Sequence, residues 1–265
     1  MRMMSIASGS SGNCIYVGTD NAHILVDTGI SKKKIIEGLG QLDLTLDDID
    51  AILVTHEHDD HIKGLGVTLR QSVTPVYGTS KTLEYIINYG SLGRLPEGIY
   101  HSLIPGEELC IKDLVFKPIS ISHDALDPVA YVLSDRNKSV GIITDLGVYN
   151  EDIIDSFSNL NTIFVEANHD VNMLLNGPYP YGLKQRILGE RGHLSNECCG
   201  RLLGEIIGDS TQNIVLSHLS RENNFPDLAY ETVRMEINLG DNNLKAEDFN
   251  ILVAKRSEAS EIINI

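Results

Sequence analysis

Residues 55–61 read Thr-His-Glu-His-Asp-Asp-His directly after the apolar run Ala51-Ile52-Leu53-Val54, and no other stretch restricts the chain as much. Three of the nine histidines and a carboxylate crowd into it, a density hard to account for without a metal ion. In an extended segment alternate side chains share a face, so His56 and His58 can grip one cation. Asp60 and His61 fall where a new helix begins and turn toward a second cation. Imidazole with carboxylate suits zinc, manganese or iron, whereas calcium would require oxygen donors alone. A lone histidine at a strand end is ordinarily structural, but that reading does not explain the spacing His-x-His-x-Asp-His.

A chain of 265 residues can bury a substantial core, and one domain spanning 1–265 is expected. Hydrophobic residues at 42% and charged residues at 22% are ordinary for a globular protein. The first residues never build the apolar core of a signal peptide, and no run nears the ~20 apolar residues of a membrane span, so no membrane association and a cytoplasmic location are expected. Cys14, Cys110, Cys198 and Cys199 form no Cys-x-x-Cys pair and are expected to be buried, reduced thiols. A formal charge of −16 and a pI near 4.8 argue against binding nucleic acid through a broad basic surface. Metals consume carboxylate charge locally, so a polyanionic substrate would be held by the site and its rim.

Short strands are expected at 3–7, 14–17 and 22–26, then a helix over 32–39 capped by Ser31 and ended by Gly40. The turn Ser8–Asn13 is no nucleotide loop, because no Gly-Lys-Ser/Thr follows and a strand comes next where a P-loop requires a helix. Its small residues and amides suit a floor near the metals. A helix from His61 to about Ser72, a strand at 75–78 and a helix over 79–89 follow the metal motif. Residues 100–144 read as five strands, with His123 and Asp145 each just past a strand end. Either residue alone would be an ordinary turn residue. Next come a helix at 151–157, a strand at 162–165, a helix after Ser195 to about Ile207, a strand at 213–217 presenting His218, a helix at 226–235 and a closing strand at 250–254. Residues 176–182 are too rich in Gly and Pro for a regular element and are expected to form a rim or lid. This alternation points to an α/β (α+β) arrangement of two sheets face to face with helices outside.

The stretch 56–61 resembles the second motif of the metallo-β-lactamase superfamily, Asp27 the first, and His123, Asp145 and His218 the later ones in order. More closely, Ser8–Asn13, His123-Asp124-Ala125, Glu166-Ala167-Asn168-His169-Asp170 and Gly192-His193-Leu194-Ser195-Asn196 resemble the bacterial YycJ/WalJ/VicX family. That family is associated with metal-dependent 5′-to-3′ DNA exonuclease activity and a proposed part in DNA repair. The resemblance implies a four-layer αββα sandwich of two mixed sheets and two divalent metal ions, zinc or manganese, with iron a further candidate. It gives His56, His58 and His123 to one metal, Asp60, His61 and His218 to the other, and Asp145 to both. The expected catalytic residues are Asp60, His193 and Glu166, with His193 stabilising the transition state or protonating the leaving oxygen and Glu166 holding its tautomer. Asp27 is expected to orient the metal loop, and Asp124 and His169 to act nearby as hydrogen-bonding loop residues or substrate contacts.

Between Asp145 and His193 there is no room for the inserted domain of RNase J, and neither the long arm of tRNase Z nor a cysteine-rich metal knuckle is present. Lys184, Arg186, Arg191 and Arg221 flank the histidine loops and are candidates for phosphate contacts, although each alone reads as a solvated charge. The leading expectation is a dinuclear phosphodiesterase acting on nucleic acid, DNA ends first. The alternative is a small-molecule metallo-hydrolase of the same fold cleaving a small phosphodiester, thioester or lactone, with His193 and Glu166 favouring phosphodiesters. A regulatory protein with a vestigial site is disfavoured because no expected ligand is missing. A redox di-iron role is disfavoured because those relatives place an acid where His58 stands.

Overall fold

Aliphatic and β-branched runs separated by Gly- and Asn-rich connections give fourteen strands and nine helices in the computed structural model, which describes residues 1–240 and 243–265. The strands make two mixed seven-stranded sheets with helices, the α/β class expected. The chain divides into two compact units, Met1–Ser120 with Ala125–Asn137 and Lys255–Ile265, and Ile121–Asp124 with Lys138–Ala254.

The first unit contains β1 (Arg2–Ala7), β2 (Cys14–Gly18), β3 (His23–Val26), α1 (Lys32–Gly40), β4 (Ala51–Leu53), α2 (Asp59–Ile62), α3 (Leu65–Leu69), β5 (Val76–Thr79), α4 (Ser80–Asn88) and β6 (Tyr100–Leu103). β1, β2 and β3 pair antiparallel across short turns, whereas β3 through β6 pair in parallel and need helical crossovers. β4 is fully buried and reads as an unbroken apolar run rather than an alternating one, as a parallel interior strand should. Ile35 and Leu39 of α1, Leu65 and Leu69 of α3, and Leu83 and Ile86 of α4 share a core with Met4, Tyr16, Leu25, Ile52 and Val76 of the sheet. The same unit holds the antiparallel strands β7 (Leu109–Ile111), β8 (Leu114–Ser120) and β9 (Val129–Ser134), and the Tyr131 hydroxyl donates to the Val54 carbonyl at 2.7 Å.

Three expectations change here. The helix predicted over 61–72 is two short helices, because Gly64 lies against the chain after β3: its N–H donates to the Thr28 carbonyl at 2.9 Å, and a Cβ would sit 1.9 Å from the Ile30 carbonyl oxygen. The chain does not close on the strand at 250–254 but returns as β14 (Ile263–Asn264), antiparallel to β1. Cys110 is exposed on β7, the outermost strand of its sheet, so it is no buried thiol.

The second unit contains β10 (Ser139–Ile143), α5 (Glu151–Phe157), β11 (Thr162–Glu166), α6 (Val171–Asn176), α7 (Tyr181–Leu188), α8 (Asn196–Ile206), β12 (Asn213–Ser217), α9 (Pro226–Leu239) and β13 (Asn250–Val253). β10 to β13 are parallel throughout. Asn150, Asp170 and Ser195 cap α5, α6 and α8 with side-chain oxygens. Gly200 lets α9 approach α8, since a Cβ there would lie 2.4 Å from Glu236 Cβ. The Gly- and Pro-rich stretch at 176–182 is irregular over 177–180, as expected, but shorter than expected: α6 ends at Asn176, and α7 begins at Tyr181 once Pro180, at its N-cap, has set an extended entry. Cys199 is buried and Cys198 partly exposed, and both are free. No helix among the described residues is long and apolar enough to cross a membrane.

Candidate metal centre

Each unit gathers its own set of metal-ligating side chains. In the first, the chain leaves β4 extended and stays so to His58, which caps α2 at φ −63° and ψ 147°. Side-chain alternation therefore holds, and His56 Nε2 faces His58 Nδ1 at 3.1 Å. The first turn of α2 then brings His61 beside His56, with ring centroids 4.1 Å apart. Asp27 follows β3 in the left-handed region at φ 59° and is buried. Its carboxylate accepts from the Thr55 amide at 2.9 Å, the Thr55 hydroxyl at 2.8 Å and His61 Nδ1 at 2.7 Å. A proton held on Nδ1 turns the His61 Nε2 lone pair toward Asp60, whose Oδ2 lies 3.6 Å away. The loop lies flat on Gly29, where a Cβ would be 1.6 Å from the Asp60 carbonyl oxygen.

Sequence reasoning missed one contributor to this cluster, Glu57, and gave another, Asn13, only as part of the turn expected to form a floor near the metals. Asn13 donates its backbone N–H to the Asp60 carbonyl at 2.8 Å and holds its amide 3.1 Å from His61 Nε2. Glu57 is buried and accepts the Leu126 amide at 2.8 Å. Its signal was the period itself, since an acid between His56 and His58 must point to the opposite face.

In the second unit the carboxyl ends of neighbouring parallel strands lie side by side, the usual place for a site in such sheets. Asp145 follows β10 at φ 58°, Glu166 ends β11, and His218 follows β12 at φ 53°. With His193, from the turn before α8, they offer ligand atoms all within 4.8 Å of one another. Glu166 is wholly buried. Its Oε1 accepts His193 Nδ1 at 2.8 Å and His218 Nδ1 at 2.9 Å, and its Oε2 accepts the amides of Leu146 at 2.9 Å and Leu194 at 3.2 Å. Burial alone would raise this carboxyl, but the two imidazoles outweigh it and hold it down at about 2. Burial opposes charge on His193 as well, yet Glu166 and Asp145 raise its pKa. One carboxylate thus fixes the proton of two rings on Nδ1, leaving His218 Nε2 3.5 Å from Asp145 Oδ1.

His123 joins this cluster with Nε2 at 3.4 Å from Asp124 Oδ1 and 3.9 Å from Asp145 Oδ1, its ring centroid 5.2 Å from that of His193. Asp124 is paired with Arg186, and Arg191 Nε donates to the His123 carbonyl at 3.0 Å. Lys184 donates to the Leu175 carbonyl at 2.7 Å, and Arg221 lies 3.7 Å from Glu222. Of these cations, Arg186 and Arg191 therefore serve the histidine loops. His169 is buried, burial lowers its pKa to about 4, and its Nδ1 lies 3.3 Å from Asn168 Oδ1. Asn168, also missed in the sequence, donates to the His218 carbonyl at 2.9 Å and so helps hold that residue's unusual backbone.

Buried imidazole nitrogens together with carboxylate oxygens form a donor set that fits a divalent transition-type ion and not an oxygen-only calcium site.

The profile of the metallo-beta-lactamase superfamily matches residues 7–197. Exodeoxyribonuclease YycJ of Bacillus anthracis is 39% identical over 231 residues, covering 86% of this chain and 86% of its own. Exodeoxyribonuclease WalJ of Streptococcus pneumoniae serotype 2 is 39% identical over 228 residues, covering 86% and 85%. Among solved structures, the metallo-beta-lactamase fold protein YhfI from Bacillus subtilis shares the fold at a TM-score of 0.69 and 16% identity, over 98% of this chain and 99% of its own.

Proposed function

Because the chain belongs to the metallo-beta-lactamase superfamily and, within it, to the family of the YycJ and WalJ proteins, we propose that it is a metal-dependent phosphodiesterase removing nucleotides from the 5′ ends of DNA in the cytoplasm, with a part in DNA repair. Residues 1–265 would work as one hydrolase domain. The observation that carries the substrate is the 39% identity to an exodeoxyribonuclease across 86% of both chains.

The proposed ligand set gives His56, His58 and His123 to one divalent ion and Asp60, His61 and His218 to another, with Asp145 serving both. Zinc or manganese fits these donors, and iron remains a third candidate. When bound, such ions supply charge that stabilises the developing negative oxygens of phosphoryl transfer. The chain's own residues account for the proton. His193 keeps Nδ1–H on Glu166, and Glu166 and Asp145 raise the pKa of its ring, which favours a second proton at Nε2 relative to a free imidazole. Donation of that Nε2 proton to the leaving oxygen returns a neutral ring still held in one tautomer. Asp60 is the carboxylate proposed to orient the attacking water.

The test is a panel of 5′- and 3′-labelled single- and double-stranded DNA, matched RNA and a generic small phosphodiester, with protein loaded with zinc or manganese. Release of nucleotides from the 5′ end of DNA is expected, with little sequence preference because backbone contacts carry no base code. Turnover of the small ester with every polynucleotide intact would replace the nuclease reading with a small-molecule hydrolase.

A further inference from the structure

Helix α4 carries two tyrosines one turn apart, Tyr85 and its C-cap Tyr89, whose rings stack at 4.9 Å between centroids and 29° between planes. Tyr85 is exposed and Tyr89 half-buried. Together with Lys81, Glu84, Asn88 and Leu126 they line a groove of about 430 Å³. Both sides of the groove are fastened to the histidine-rich segment after β4. The Tyr89 hydroxyl donates to Asp59 Oδ1 at 3.2 Å, and the Leu126 amide donates to Glu57 Oε1 at 2.8 Å. Leu126 itself is 52% exposed, so an apolar side chain stands in solvent in the same groove as the stacked rings.

An aromatic pair at this spacing stabilises an isolated helix slightly, but that accounts neither for an exposed ring nor for the exposed leucine in the same groove. The groove has the volume of a small-ligand site and is formed by too few residues for a stable protein interface. Glu84 is the acid in its lining and the charges of Asp59 and Glu57 also reach Tyr85, which disfavours an anion against that ring, while the ring faces favour a flat, uncharged group. Nucleobases are such groups, and every base offers a π-face, so stacking tolerates any sequence. Lys81 is the cation at hand for an adjoining phosphate.

We propose that the groove is a base-stacking subsite, in which Tyr85 and Leu126 sandwich the base of a nucleotide near the one being cleaved. This rests on the nuclease reading and names how that site grips its substrate without a basic surface.

The experiment measures binding by fluorescence anisotropy of a dye-labelled, 5′-phosphorylated single strand with hydrolysis-resistant phosphorothioate linkages, to metal-loaded wild-type and Tyr85→Ala proteins. An abasic nucleotide is walked along the strand. For the wild type, affinity falls about tenfold at one or two adjacent positions and nowhere else, the scale of one lost base stack. In Tyr85→Ala the intact strand binds about tenfold more weakly, the positional penalty vanishes, and on cleavable DNA KM rises with kcat nearly kept. Tyr85→Phe and Tyr85→Trp restore wild-type binding, since the ring and not the hydroxyl is what stacks. A wild-type protein that cleaves DNA but binds abasic and intact strands equally overturns this inference alone. So does a Tyr85→Ala protein whose only change, by sedimentation, is loss of self-association. A wild-type protein that neither binds nor cleaves DNA removes the nuclease reading and this subsite with it.

Discussion

Glu166→Gln is the substitution whose effect the geometry defines best. Glutamine keeps the shape of glutamate but turns one of two acceptors into a donor. If its NH2 replaces Oε2 it confronts the amide N–H groups of Leu146 and Leu194, and if it replaces Oε1 it confronts Nδ1 of both His193 and His218. The backbone amides cannot adapt, whereas imidazoles can move their protons to Nε2, so the second arrangement should prevail. Both rings would then be in the wrong tautomer, with no lone pair at His218 Nε2 and a poorly placed proton on His193. Losing the charge at a buried, paired carboxylate should destabilise the protein by about 3–5 kcal/mol. For a chain of 265 residues that is a fall in Tm of about 5–9 °C. Turnover should drop about 10²-fold or more.

The pH dependence has a definite sign. The depressed Glu166 carboxyl gives stability that is full above its ordinary value of 4.5 and is lost as pH falls through about 2. The raised His193 imidazole gives stability that is full below its ordinary 6.5 and is lost as pH rises through its higher folded value. The gap in Tm between metal-free wild type and variant should therefore be widest between pH 4.5 and 6.5 and narrow on either side. Calorimetry across pH reads this directly. A variant with unchanged Tm throughout, and wild-type turnover when loaded with metal, would refute the role of Glu166 as the shared acceptor.

Elemental analysis of protein purified without chelator should approach two metal ions per chain, falling in Asp145→Ala and His218→Ala. His193→Ala should instead keep its metal while losing turnover by about 10²-fold, and equal metal loss in both histidine variants would show the proton donor wrongly chosen. Gly29→Ala places a methyl 1.6 Å from the Asp60 carbonyl oxygen, so the loop must shift. It should cost about 1–3 kcal/mol and lower metal content, and unchanged thermal denaturation with full metal content would contradict the tight packing there.

The histidine-rich segment was legible because its two periods coincide with the chemistry proposed for it: alternation places His56 with His58, and the start of α2 places Asp60 with His61. Asp145, His193 and His218 were recognisable only by their order along a family pattern, since nothing local distinguishes them from turn residues. That Glu166 also holds His218 was hidden, because parallel-strand register brings residues 52 positions apart into contact. The helix at 61–72 was read as continuous because glycine at 64 is tolerated within helices on sequence grounds; its break reflects the backbone after β3, invisible to a local pattern. Strand β14 escaped notice because two residues carry no period, and α7 because composition at 176–182 masked an ordinary helix start.

Asp27, Asp145 and His218 all hold the left-handed backbone conformation, at φ 59°, 58° and 53°. For a side-chain-bearing residue this conformation costs roughly 1–2 kcal/mol, although aspartate and histidine visit it more readily than most. The backbone strain thus falls on three residues of the proposed metal site. Glycine would relieve that conformation, but at Asp27 it would forfeit the buried hydrogen bonds from Thr55 and His61, and at His218 the one to Glu166, a loss at least as large as the backbone gain. Strain and buried bonding therefore meet at Asp27 and His218, and any effort to harden the protein should leave these three strand ends untouched.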